Sequence, residues 1–200
     1  REGVRTMRVI AGTARGKNLQ ALPGEDITRP TINRVKEAMF SSVQFLVPGA
    51  RVLDLFAGSG QLGIEALSRG AKSCLFVDQS PDALAIITAN CKTAGVDRQS
   101  DIRHGEALRF LANIRGPFDL VLLDPPFHQG LLEQVLPALQ EKLAPGGVIL
   151  AESEREAELP ERIGTLVRTK QYFYGKIMVS RYEREAVSYT HLTLPTNSRV

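Results

Sequence analysis

Asp124-Pro125-Pro126-Phe127 is the stretch of this chain best suited to chemistry. It follows Phe118-Asp119-Leu120-Val121-Leu122-Leu123, a run with the composition of a buried strand. Such a strand delivers one carboxylate, then two residues without a backbone N–H, then an aromatic ring. Proline fixes φ and leaves its carbonyl outside the ladder. Hydrogen-bond acceptors and a flat surface can then surround one planar amine. That suits methylation of the exocyclic nitrogen of a nucleobase, a poor nucleophile whose lone pair is delocalised into the ring. The Asp124 carboxylate and the Pro125 carbonyl would each take one N–H, Pro126 would brace the turn, and Phe127 would stack on the base. A base inside a helix cannot reach such a corner, so the target is unpaired or flipped. The neighbouring His128 reads as a surface residue.

A second constellation lies upstream. Val52 to Gly63 carries G-x-G-x-x-G at Gly58, Gly60 and Gly63, and Asp78 follows twenty residues after Gly58. An NAD fingerprint is one reading of that spacing. Asp54 changes the balance, because a fixed carboxylate repels a pyrophosphate placed beside it unless it is screened. S-adenosylmethionine carries an ammonium and a sulfonium there, which Asp54 would attract directly or through water. Gly58 and Gly60 admit close backbone approach, with Phe56, Ala57 and Ser59 completing the turn. Asp78, with Gln79 beside it, is placed for the ribose hydroxyls. Glu106 is a candidate for the adenine amino group and Ala107 for its edge, and Asp124 borders the same site.

Elements that could position these groups follow from periodicity and punctuation. Residues 7–22 read as two short strands joined by Thr13-Ala14-Arg15-Gly16. Thr31 is expected to cap a helix from about Ile32 to Phe45, with Val35, Ala38, Met39 and Val43 inward and Arg34 and Lys36 off that stripe. From residue 50 strands and helices alternate. Strands are expected at Arg51–Phe56, Ser73–Val77, Gln99–His104, Phe118–Leu123 and Val148–Glu152. Helices are expected through Leu67 and over Pro81–Ala94, Ala107–Ile114 and Leu131–Leu143. The second of these turns Ala83, Leu84, Ile86 and Ile87 inward. Two closing strands near Gly164–Lys170 and Lys176–Tyr182 suggest an antiparallel hairpin at a sheet edge. Alternation of this kind means a parallel sheet covered on both faces.

Two hundred residues, 43% hydrophobic and 24% charged, match one ordinary α/β domain with a small appendage. No run approaches a membrane span or a secretory signal. Cys74 and Cys91 read as reduced core thiols, which fits a cytoplasmic setting and excludes a disulfide framework or a zinc site. The net charge of +3 is too small to argue nucleic-acid binding, but the excess base lies in residues 1–36. Arg15, Lys17, Arg29 and Arg34 are therefore expected on RNA phosphates. The chain divides into a leader at 1–6, an extension at 7–48, a core at 49–185 and a tail at 186–200. Met7 reads as a natural start, and the tail resembles translated cloning sequence with no expected order.

Together these residues resemble class I S-adenosylmethionine-dependent methyltransferases that modify amino nitrogens, over about residues 7–184. Met7-Arg8-Val9-Ile10-Ala11-Gly12, Arg15-Gly16-Lys17, Thr28-Arg29-Pro30-Thr31, Arg34-Val35-Lys36-Glu37 and Phe40 look like the N-terminal signature of the RsmD-type enzymes. So do Asp54 to Gly60 and Glu65-Ala66-Leu67-Ser68-Arg69-Gly70-Ala71. Those are bacterial 16S rRNA guanine-N2 methyltransferases. The resemblance implies a Rossmann-like α/β fold: a seven-stranded, mostly parallel sheet with one antiparallel strand, helices on both faces and a small N-terminal hairpin-and-helix extension. It implies a monomer that methylates N2 of guanine 966 of 16S rRNA in the assembling 30S subunit, with S-adenosyl-L-methionine as cofactor and neither metal nor membrane. Asn33 departs from the family's usual Asp, and Gln61 from its usual small residue. The rivals are a DNA or protein-glutamine amino methyltransferase, an NAD-dependent oxidoreductase, and a non-catalytic ribosome-assembly factor.

Overall fold

The computed structural model describes residues 5–25 and 30–186. Strands β1 (Thr6–Arg8) and β2 (Asn18–Gln20) pair antiparallel, and Thr6 of the expected leader is opposite Gln20. Helix α1 (Pro30–Ser42) follows. It starts at Pro30 rather than behind a Thr31 cap, since proline at the first helical position loses no hydrogen bond and already has helical φ. It ends at Ser42, short of Phe45, which is 93% exposed.

The core then alternates as expected. β3 (Arg51–Asp54), α2 (Gln61–Ser68), β4 (Ser73–Asp78), α3 (Pro81–Ala94), β5 (Ser100–His104), α4 (Ala107–Leu111), β6 (Phe118–Leu123) and α5 (Leu131–Leu139) lead into β7 (Leu143–Glu154). Pro137 lies inside α5, and a 3-10 turn over Gln140–Lys142 replaces the expected continuation to Leu143. β7 starts at Leu143 rather than Val148. Its Ala144-Pro145-Gly146-Gly147 segment is absorbed where the pairing with β6 shifts register. In α3, Ala83 and Ile87 are buried while Leu84 and Ile86 are only half-buried.

The main sheet has the order β5-β4-β3-β6-β7-β10-β9-β8. β9 (Leu166–Tyr174) and β10 (Ile177–Arg184) form the expected hairpin, and β10 pairs antiparallel with β7. The sheet has eight strands rather than seven. The two-residue β8 (Arg162–Ile163) folds back on β9 and adds a second strand running against the parallel set. A segment that short carries no readable alternation.

Side chains alternate cleanly across the sheet. Val52, Phe76, Leu120, Leu122, Val148 and Leu150 face one core with α1, α2, α3 and the β1–β2 hairpin. Leu53, Val77, Val121, Leu123, Ile149 and Ala151 face the other with α4 and α5. Chain order reverses between β3 and β6. That is the switch point where an open α/β sheet leaves a crevice at its strand C-termini. Cys74 and Cys91 are buried and free, and burial pushes the Cys91 thiol up to about 11.

Candidate active site

Four neighbouring parallel strands each end in a carboxylate: Asp78 on β4, Asp54 on β3, Asp124 just past β6, and Glu152 near the end of β7. Two-residue alternation puts all four on the side-chain positions of Phe76, Val52, Leu122 and Leu150, the face that carries α1 to α3. Leu123 is opposite Ala151, so Asp124 and Glu152 follow as neighbours. Both line a cavity of about 400 Å³ walled by Val35 and Lys36 of α1, Gln61 and Leu62 of α2, and Phe127.

Their environments differ. Asp78 accepts the Gly58 N–H at 2.9 Å on one oxygen and the Ser80 N–H at 2.9 Å on the other. It thereby holds the glycine turn while keeping further lone pairs on both oxygens. Asp54 is 1% exposed; its Oδ2 accepts the Gly63 N–H at 3.0 Å, but its Oδ1 is buried without a partner among the described residues. Burial raises its pKa to about 7, and Asp124, Asp78 and Glu25 add like charge. Burial likewise raises Asp124 to about 7, with Glu25 adding repulsion. Glu152 is pushed well above the ordinary carboxylate range by burial and by Asp124.

The glycine turn has the geometry that its sequence demands. Gly60 sits at φ 82°, in the left-handed region, just before α2. A Cβ at Gly63 would lie 2.3 Å from the Phe76 ring, so only glycine lets α2 rest this low on β4. Glu25 of the extension reaches over the turn: a Cβ at Gly58 would lie 3.1 Å from its Oε1, and its Oε2 accepts the Leu22 N–H at 2.9 Å. Burial raises the Glu25 carboxyl as well.

The orphaned Asp54 oxygen is the test of cofactor fit. An unpaired buried acceptor costs about 1–3 kcal/mol, and an ammonium supplies the missing donors. Its carboxylate neighbours set a negative potential that suits a cationic ligand and opposes a pyrophosphate. The residues present therefore fit S-adenosylmethionine.

Other expected site residues fall into place unevenly. Phe56 is half-buried, and Ala57 is buried with its N–H donated to the Val77 carbonyl at 3.0 Å. Ser59 is fully buried and turns to the hairpin, its Oγ 3.7 Å from Met7 Sδ and its carbonyl accepting from Asn90 at 2.9 Å. Gln79 is exposed, its carbonyl 2.9 Å from His104 Nε2. Glu106 is exposed and caps α4, with Oε1 and Oε2 accepting the Leu108 and Arg109 N–H groups, which lowers its pKa. Ala107 is buried at the start of that helix. Pro125 is buried, Pro126 is exposed, and Phe127 is half-buried at the cavity. His128 is exposed at its mouth, 3.7 Å from Glu154 Oε1.

Arg15, Lys17 and Arg34 are exposed, and Arg15 borders a groove with Arg8 and Asn33. Arg29 lies outside the described residues. Lys36 departs from expectation, being 2% exposed instead of solvated. Its Nζ donates to the Arg8 carbonyl at 3.0 Å and lies 3.5 Å from Glu65 Oε1. Glu65 also accepts the Ile10 and Ala11 N–H groups and Arg69 Nε. Helical spacing misplaced Lys36 because its partner lies on another helix. Glu25, Gln61, Lys36 and Glu152 were not read as site residues. Glu152 had a signal, an apolar strand ending in a carboxylate, as Asp124 does, and Gln61 stood out as a departure from the family's usual small residue.

Residues 7–183 match the family model described as conserved hypothetical protein 95. The chain is 41% identical over 183 residues to "Putative rRNA methyltransferase YlbH" of Bacillus subtilis, covering 89% of this chain and 99% of the relative. It is 35% identical over 184 residues to Ribosomal RNA small subunit methyltransferase D of Escherichia coli, covering 90% and 91%. The solved structure titled "Putative methyltransferase yhhF from Escherichia coli" superposes with a TM-score of 0.79 at 33% identity, covering 91% of this chain and 99% of that one.

Proposed function

Because the chain belongs to the conserved hypothetical protein 95 family of S-adenosylmethionine-dependent rRNA methyltransferases, that of RsmD and YlbH, we propose that it methylates N2 of a guanine in 16S rRNA, guanine 966 by family resemblance. The observation that carries this reading is the Asp124–Phe127 corner opening into a cavity beside the glycine turn. Bound S-adenosylmethionine supplies an electrophilic methyl group on a sulfonium.

The chain's own residues do the rest. Asp54 offers its unpaired oxygen to the cofactor's ammonium, and Asp78 offers its remaining lone pairs to ribose hydroxyls. The Asp124 carboxylate and the Pro125 carbonyl accept the two N–H groups of the base amine. That turns the nitrogen lone pair toward the cleft and favours the positive charge that develops on it. Asp124 then receives the proton that the methylated nitrogen sheds. Phe127 stacks on the base ring. Exposed Arg15, Lys17 and Arg34 supply phosphate contacts on the extension, whose hairpin is anchored to α2 through Glu65.

The test is transfer of labelled methyl from S-adenosylmethionine to unmodified small-subunit RNA, free or in particles, with the product nucleoside mapped by mass spectrometry. N2-methylguanosine at one position is expected. Label on adenine, on protein or on no acceptor would overturn the reading.

A further inference from the structure

The acceptor corner does not by itself choose a base, since any exocyclic amine presents two N–H groups to it. The distinction lies in the ring atom beside the amine. In guanine one of the two ring atoms flanking the amine is N1, which carries a hydrogen. In adenine it is an N1 lone pair. A second acceptor aimed at this position would favour guanine and repel adenine.

Gln61 brings such an acceptor to the cavity wall. It is the first residue of α2 and lines the cavity together with Asp124, Phe127 and Glu152. Its Oε1 is buried and has no hydrogen-bond partner among the described residues. A buried amide oxygen left unpaired is unfavourable, so the site is built for a ligand that brings a donor. The same cavity is bordered by Asp124 and Phe127 of the acceptor corner and by Glu25, which lies over the glycine turn. The Asp124–Glu152 pair is a less dependable reader of N1–H. Burial favours keeping a proton on the pair, and a protonated carboxyl donates rather than accepts. An amide oxygen accepts at every pH.

We infer that Gln61 distinguishes guanine from adenine, its Oε1 accepting the N1–H of the substrate base while the Asp124 corner holds the amine. This rests on the reading above that an RNA guanine is the substrate. It also gives a role to the residue at which the chain departs from the small side chain common in RsmD-type enzymes. A neutral acceptor at the cavity wall discriminates because the wrong base leaves it unpaired against a lone pair.

The test uses target RNA carrying either guanine or 2-aminopurine at the modified position. The analogue keeps the 2-amine and has a bare N1. Wild-type protein should prefer guanine by about ten- to hundredfold in kcat/KM. Gln61→Met, which keeps length and removes the amide, should bring that ratio close to one, with S-adenosylhomocysteine affinity changed less than about twofold. An unchanged ratio in Gln61→Met would overturn the inference. So would a large loss of S-adenosylhomocysteine affinity, which would assign Gln61 to the cofactor.

A readout without turnover separates this inference from the proposed function. In protein loaded with S-adenosylhomocysteine, the 15N side-chain amide signal of Gln61 should shift with a guanine-bearing oligonucleotide and stay put with the 2-aminopurine one. A signal indifferent to both would sink the inference even if methyl transfer to RNA succeeds. A guanine-selective shift with no transfer would sink the proposed activity and leave the inference standing.

Discussion

Asp78 and Asp124 end strands on either side of β3, on the same face of one sheet, yet their surroundings are opposite in kind. Asp78 has a backbone N–H on each oxygen and braces the glycine turn. Asp124 opens into a cavity, is shifted by burial to about 7, and has Glu152 as its neighbour on the next strand. A carboxylate pinned by one backbone donor on each oxygen is a fixed post with lone pairs to spare. One without a hydrogen-bond donor among the described residues, shifted up by burial, has the properties of a proton acceptor poised near neutrality.

Substituting the two tips separately is the sharpest way to break this comparison. Asp124→Ala should lower turnover by about 10³-fold while S-adenosylhomocysteine binds nearly as before. Asp78→Ala should instead weaken that binding by about ten- to hundredfold. Calorimetric titration beside a methyl-transfer assay separates the two, and matching defects in both variants would erase the distinction.

The pH profile comes next. Asp124 with a raised pKa keeps its proton below about 7 and is an accepting carboxylate above it. Turnover should therefore climb about tenfold per pH unit up to about 7 and level off beyond it. A flat profile between pH 5.5 and 8 would contradict that role.

Asp54, between the two tips, offers a stability test. Its pKa is raised in the folded state from 3.8 to about 7. The folded form therefore gains from the proton at low pH and loses that gain as pH rises through about 7. The full difference is on the order of 4 kcal/mol. Asp54→Asn should then melt several degrees above wild type at pH 8, and the gap should close toward pH 4. S-adenosylhomocysteine should stabilise wild type more than the variant. Equal melting temperatures throughout would show that the buried charge is not strained.

The smallest effect is expected farthest from the sheet. Reversing the charge of Arg15 and Lys17 should weaken RNA binding and lower its salt slope by about two, leaving S-adenosylhomocysteine affinity unchanged. An unaltered slope would remove the hairpin from the RNA surface.

Much of this was legible from residue order. Apolar runs delimited by Gly, Pro and Asp marked β3, β4 and β6, and Pro81 to Ala94 coincides with α3. Glu106 shows where the limit lies: a carboxylate at a helix start reads equally as a ligand or a cap, and in the structure it caps α4. Lys36 shows it again. Its helical position promised solvent, but Glu65 and the Arg8 carbonyl draw it inside.

The glycine turn and the proline-braced acidic corner were determined by the sequence, because each rests on backbone constraints within a few neighbouring residues. The meeting of Asp124 with Glu152, of Gln61 with their cavity, and of Lys36 with Glu65 was decided by tertiary structure alone. Parallel register and helix docking bring together residues 28 to 91 positions apart. Burial then sets their protonation and their unmet hydrogen bonds, which no local pattern encodes.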